Sequence, residues 1–144
     1  MPQPLRFSEQ RPPRAIWTIR RVGVGPAQPL RGQRAAFEPP TDVYETPEAY
    51  VVRMEIAGLR PEGLEVHLTR DGRLLAIAGH RDDPGAGSPR KYYTMEIECG
   101  EFARSFPLRQ PVDAEAVSAS YAEGFLEITL PKLPPRTPRR VPIE

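Results

Sequence analysis

The side chains of this 144-residue chain best suited to chemistry are few: the histidines His67 and His80, the single cysteine Cys99, and the pair Asp82-Asp83. The histidines are too far apart in sequence for a metal-ligand pair and have no cysteine cluster to join. Cys99, beside Gly100 at a turn, has no partner for an internal disulfide, which leaves a redox or cross-linking role as its only chemistry. Asp82-Asp83 reads as a solvated loop rather than a cation site. No Ser/His/Asp arrangement is legible. Gly23-Val24-Gly25 and Gly85-Ala86-Gly87 lack the lysine and the strand-to-helix setting of a phosphate cradle. The expectation is a protein that is not an enzyme, with no catalytic, metal-binding or cofactor-binding residue and no small-molecule substrate.

The tail carries a different kind of signal. Arg139-Arg140 leads into Val141-Pro142-Ile143, two branched apolar residues around a proline that fixes φ near −65° and removes a backbone donor. Such a segment stays extended, with Val141 and Ile143 on the same side. It is too short to build a core and suits a plug for a groove on another subunit. Self-assembly is therefore expected.

The elements behind that plug are organised by charge and proline. Residues 1–36 hold seven Arg and one Glu, a net of +6, while residues 132–144 carry +3 and the span between them −8. Eight of the nineteen prolines fall in residues 1–40 and five in 131–142, so both ends resist regular structure and the middle can fold. The expected organisation is a flexible Pro/Arg-rich arm over 1–40, a folded domain over 41–132 and an extension over 133–144. No run approaches the roughly 20 apolar residues of a membrane span, and Ala15-Ile16-Trp17 is too short for a signal peptide. The default expectation is a soluble, cytoplasmic protein.

The middle alternates with period two. Tyr50, Val52, Met54 and Ile56 share one face, with Val51, Arg53 and Glu55 on the other. Leu64, Val66 and Leu68 alternate with Glu65, His67 and Thr69, and His67 is expected on an exposed face. Asp71-Gly72 signals a hairpin, after which Leu75 and Ile77 run into Gly79. Phe102, Arg104 and Phe106 share a face. Val117, Ala119 and Tyr121 form a short strand, Glu123-Gly124 turns it, and Leu126, Ile128 and Leu130 return. Short alternating strands between turns, with no convincing helix, predict an all-β, antiparallel, immunoglobulin-like β-sandwich.

Residues 82–91 interrupt this pattern with a polar, turn-rich linker. Tyr93, Met95 and Ile97 then alternate with Tyr92, Thr94 and Glu96, which predicts a further strand. A strand tethered by a long loop can pair with another subunit, and an ordinary hairpin arm fits the same residues. Arg104 places a charge in an apolar row, where a buried guanidinium must be paired. A solvated strand arginine is the alternative.

Four segments, in order, now resemble one family. Leu75-Ala76-Ile77-Ala78-Gly79-His80-Arg81 is similar to the L-x-I-x-G-x-R strand of the α-crystallin domain. Ala119 to Leu126, followed by Ile128-Thr129-Leu130-Pro131-Lys132, resembles that family's A-x-x-x-N-G-V-L signature, with Glu123 where Asn is usual and Phe125 where Val is usual. Ala57-Gly58 stands where Pro-Gly often occurs. Phe102-Ala103-Arg104-Ser105-Phe106 resembles the Phe-x-Arg-x-Phe strand, and Val141-Pro142-Ile143 the C-terminal I/V-x-I/V anchor. The likeness covers roughly residues 40–144 and points to a small heat-shock protein of the bacterial type.

That resemblance implies an ATP-independent holdase, a chaperone that binds partly unfolded proteins before they aggregate and assembles with itself from dimers into a larger oligomer. It implies that the anchor docks in a groove drawn from Leu64, Val66, Leu68, Val117, Ala119 and Tyr121, although alternation leaves open which of these face the groove and which the core. It puts Tyr92, Tyr93, Met95, Ile97 and Arg104 at the dimer interface. Leu5, Phe7, Ile16, Trp17, Ile19, Val22 and Val24, kept available by the prolines and arginines around them, fit either client capture or packing inside the oligomer. An alternative is a sandwich-fold co-chaperone for a larger ATPase, in which the anchor has no role. Nucleic-acid binding by the arm is less favoured, because its aromatics form no stacking platform and the domain is acidic. Membrane binding is disfavoured by the arm's prolines.

Overall fold

The computed structural model describes residues 23–25 and 36–134. Two four-stranded sheets face each other. One contains β1 (Gly23–Gly25), β4 (Leu64–Thr69), β5 (Leu74–Arg81) and β6 (Gly100–Pro107) in the order β1-β4-β5-β6. The other contains β2 (Thr41–Glu45), β3 (Ala49–Glu55), β7 (Ser118–Ala122) and β8 (Phe125–Pro131) in the order β2-β3-β8-β7. Single 3-10 turns at Pro61–Gly63 and Ala114–Ala116 lead into β4 and β7. The all-β sandwich expected from the alternation is present.

Alternation translates directly into burial on the inner faces. Val52, Met54, Leu68, Leu75, Ile77, Leu126, Ile128 and Leu130 are all fully buried, joined by Tyr50, Ile56 and Phe102. Val51, on the opposite face of β3, is buried as well, because β3 is flanked by β2 and β8. Phe37 packs on Phe102 at 5.7 Å between ring centroids, so the chain just before β2 also covers core.

The glycine of the L-x-I-x-G motif has a plain steric cause. A Cβ on Gly79 would lie 2.4 Å from the Gly63 carbonyl oxygen and 2.5 Å from Cζ of Phe102, so only hydrogen fits under that buried ring. The β7–β8 turn puts Glu123 at φ 54° and Gly124 at φ 83°, the left-handed pair of a type I′ hairpin. Glutamate there keeps the turn but carries the strain that Asn or Asp relieves.

Three features depart from expectation. Pairing is antiparallel except that β1 runs parallel to β4, and Phe37 makes a parallel bridge to Phe102. β1 comes from the arm, where no element was expected. Residues 92–97 form no strand in this chain, despite their alternation. Extended backbone without a neighbouring strand has no ladder to join, and periodicity records faces rather than partners.

Candidate assembly surfaces

The segment Tyr92–Ile97 leaves the sandwich between two fixed points. On the outgoing side, the Asp83 carboxylate accepts from the Arg90 guanidinium, from the Gly85 amide at 3.0 Å and from the Tyr92 hydroxyl at 3.4 Å. The Arg90 hydrogen bond first, and then the Gly85 amide, hold the Asp83 carboxyl below the usual carboxylate range. On the returning side, Arg81 Nε donates to the Glu98 carbonyl at 2.9 Å, and its guanidinium stacks on Phe37. Between those clamps Tyr93 is 91% exposed, Met95 71% and Ile97 78%. Three large, strongly exposed apolar side chains on one short segment form an apolar surface, met among the described residues by the Lys91 ammonium, 5.7 Å from the Tyr93 ring.

A complementary edge exists on the same molecule. β2 ends its sheet, and Asp42, Val43, Tyr44 and Glu45 are all exposed. Its inner side pairs with β3, from Thr41 opposite Met54 to Glu45 opposite Tyr50, and no strand among the described residues pairs with its outer side. The outer side of β6, by contrast, is partly covered at Phe37 and by the Ala36 amide, which donates to the Glu101 carbonyl.

Arg104 projects from β6 toward the entrance of β2. Its Nη1 donates to the Pro39 carbonyl at 3.0 Å, and its guanidinium lies 5.2 Å from the Phe106 ring. Within one chain its partner is thus a carbonyl and a ring face. It is half-buried, neither sealed in the core nor fully solvated.

The six residues considered for the anchor groove divide cleanly. Val66, Leu68 and Ala119 are buried and belong to the core. Leu64, Val117 and Tyr121 are half-buried and pack against it. Tyr121 is fixed there, its hydroxyl donating to the Ile56 carbonyl at 2.8 Å and accepting from the Leu59 amide at 3.3 Å. Val117 closes the 3-10 turn ahead of β7 rather than lying within the strand.

His67, expected to be exposed, is half-buried, and its Nε2 is buried with no hydrogen-bond partner among the described residues. The cause is β1: Gly23 lies opposite His67, close enough that a Cβ there would meet Nδ1 at 2.9 Å. His80, the other histidine, faces two carboxylates, with Nδ1 3.0 Å from Glu101 Oε1 and Nε2 3.1 Å from Asp82 Oδ1. Sequence reasoning missed both β1 and the β2 edge. Glycine carries no side-chain pattern, and β2 buries no face from which a pattern would arise.

The anchor Val141-Pro142-Ile143 and the arm residues Leu5, Phe7, Ile16, Trp17, Ile19 and Val22 lie outside the described residues, and Val24 is described only through the backbone of β1. Among the described residues, no group of three or more His, Cys, Asp or Glu is placed to hold a metal ion. No helix among them is long and apolar enough to cross a membrane.

Known proteins share this architecture and sequence. The chain is 32% identical over 111 residues to the 17.7 kDa class II heat shock protein of Arabidopsis thaliana, across 77% of this chain and 71% of that one. It is 34% identical to spore protein SP21 of Stigmatella aurantiaca, across 75% of this chain and 63% of the relative's length. In structure it is similar to the small heat-shock protein of Xylella fastidiosa, whose crystal structure reveals a distinct high order structure; the TM-score is 0.65, with 31% identity over 76% of this chain and 99% of that one. The family model for Hsp20/alpha crystallin proteins matches residues 42–144. This chain belongs to the Hsp20/alpha crystallin family.

Proposed function

We propose that this chain is an ATP-independent holdase of the cytoplasm that works as a homo-oligomer built from exchanged dimers, with an arm at 1–40, the sandwich at 41–132 and an anchoring extension at 133–144. The observation that carries this reading is the segment Tyr92–Ile97, exposed and without a strand partner among the described residues, on a molecule whose β2 is an edge strand among those residues. Added to β2 of a second copy, the segment gains ladder hydrogen bonds and buries Met95 and Ile97 against a neighbour, in the manner of strand addition at a sheet edge. The exchange is reciprocal, so each dimer contains it twice. Arg104, beside the entrance to β2, then gains an acidic partner from the second subunit.

Dimers are linked by the tail. Val141 and Ile143 seat against the half-buried Leu64, Val117 and Tyr121, over the buried Val66, Leu68 and Ala119. Each branched side chain contributes on the order of 1.5–3 kcal/mol before the tail's ordering entropy is subtracted. One such contact exchanges readily, and many together hold an assembly. Clients, exposed apolar segments of partly unfolded proteins, are captured by Leu5, Phe7, Ile16, Trp17, Ile19, Val22 and Val24 of the arm.

The test is Val141→Ala with Ile143→Ala, read by light scattering. Dimers or small species are the expected product. A full-sized oligomer from the double variant contradicts the anchor.

A further inference from the structure

The antiparallel ladder between β5 and β6 stops at Arg81 opposite Gly100. Carried two residues further, the same register would set Asp83 opposite Glu98 and close residues 82–99 into a hairpin on their own strands. The chain takes another course. Gly100 turns at φ 106°, a conformation that favours glycine, and the Glu98 carbonyl accepts from both Nε and Nη2 of Arg81. Arg81 is in turn held by the sandwich. Its Nη1 donates to the Ala57 carbonyl at 3.3 Å, and its guanidinium lies 4.7 Å from the ring of Phe37, which packs on the buried Phe102.

We propose that Arg81 is the positioning residue of the strand exchange: its fork holds the returning chain at Glu98 in the direction that presents Tyr93, Met95 and Ile97 to a second copy, and so opposes closure of the arm on its own chain. This rests on the exchange reading just given. The chemistry of the side chain suits the task. A planar guanidinium with five donors can serve the Glu98 and Ala57 carbonyls together while its face lies on Phe37. Its place suits it too, because Glu98 adjoins Ile97, and a hold on that carbonyl sets where the arm leaves the sandwich.

The outgoing side has no equivalent fastening. The partners of the Asp83 carboxylate are Arg90, Gly85 and Tyr92, so that clamp shapes the loop without tying it to a sheet. Asp82 does reach His80 and Arg60, but it stands ten residues before the arm begins. A loose arm must give up conformational freedom when it joins β2 of another subunit, and that cost is subtracted from the affinity. Arg81 orders the arm beforehand.

The experiment compares an arm carried by the chain with an arm supplied free. Full-length chain with Val141→Ala and Ile143→Ala is prepared with and without Arg81→Met, and each dimer Kd is measured by a sedimentation-velocity dilution series. A fluorescein-labelled peptide of residues 90–98 is then titrated by anisotropy against each dissociated chain. The peptide needs only the β2 edge of its host, not the host's own arm. An unanchored arm that spends about one-tenth of its time in the donating direction weakens apparent affinity about ten-fold, and the two arms of a symmetric dimer about a hundred-fold. The Arg81→Met dimer is expected to weaken by that amount, with peptide affinity the same for both chains. A dimer Kd within about three-fold of the parent overturns the proposal. A matching loss in dimer and peptide binding also overturns it, since Arg81 then supports the sandwich and its β2 edge rather than the arm. A peptide that binds neither chain contradicts the exchange at β2, and the proposal falls with it.

Discussion

Ile97→Ala separates the exchanged interface from the fold of the single chain. Ile97 is 78% exposed, so its side chain does little for its own sandwich. Full burial of an isoleucine side chain is worth about 1.5–3 kcal/mol, and alanine retains only the first carbon of it. With roughly three quarters of that burial still to come on dimerisation, each copy of the substitution forfeits about 1.5 kcal/mol. Two-fold symmetry repeats the contact, so the dimer loses about 3 kcal/mol, or roughly two decades in Kd. The assay is a dilution series by sedimentation velocity on the Val141→Ala, Ile143→Ala background, where dimers are not drawn into larger species. The urea midpoint of the dissociated chain is expected to stay unchanged. A dimer Kd within about three-fold of the parent refutes the exchange. So does a loss of monomer stability matching the loss in Kd, since that places Ile97 in its own chain's packing.

Other consequences concern the frame that holds these surfaces. Tyr121→Phe removes a hydroxyl that serves both the Ile56 carbonyl and the Leu59 amide, and is expected to lower unfolding free energy by about 1–2 kcal/mol in urea, with the amides of the β3–β4 connection near residue 58 exchanging faster. Glu123→Asn relieves a left-handed glutamate and should raise stability by about 0.5–1 kcal/mol, seen as a higher urea midpoint at constant m-value. Asp71 accepts from the Thr69 hydroxyl at 2.6 Å and the Arg73 amide at 3.1 Å, and these bonds, Thr69 first, hold its carboxyl below the usual range. A lowered folded value means that its contribution is full above about pH 4, the range of an unfolded aspartate, and is lost as pH falls through the lower folded value. Asp71→Asn is expected to flatten that part of the acid-unfolding curve, measured by fluorescence.

Much of the sandwich was legible because buried faces write themselves into the chain with period two. Tyr50, Val52, Met54 and Ile56 were assigned one face, and all four are core. The turn was visible in Glu123-Gly124, while its left-handed geometry, with both residues at positive φ, came only from the structure. What escaped lies at edges. Thr41-Asp42-Val43-Tyr44-Glu45 is a strand whose residues are nearly all exposed, so hydrophobic alternation had nothing to record. Gly23–Gly25 is a strand by backbone pairing alone, and its presence turned His67 from the expected exposed residue into a half-buried one. Tyr92–Ile97 shows the opposite failure, with alternation present and no ladder formed. Of the six groove candidates, parity could not separate the buried from the half-buried. Val66, Leu68 and Ala119 are buried while Leu64, Val117 and Tyr121 stay half-buried, and β7 starts after Val117, so that residue lies outside the alternation of its strand.

The account stands most directly on whether the assembled chain holds an unfolding protein without nucleotide. Native mass by light scattering, paired with heat aggregation of a model client at substoichiometric oligomer and no ATP, measures both halves of that claim. A large oligomer that suppresses light scattering from the client is the predicted result. A monomer or dimer that leaves aggregation unchanged contradicts it, and moves the chain toward a co-chaperone that needs a larger ATPase beside it.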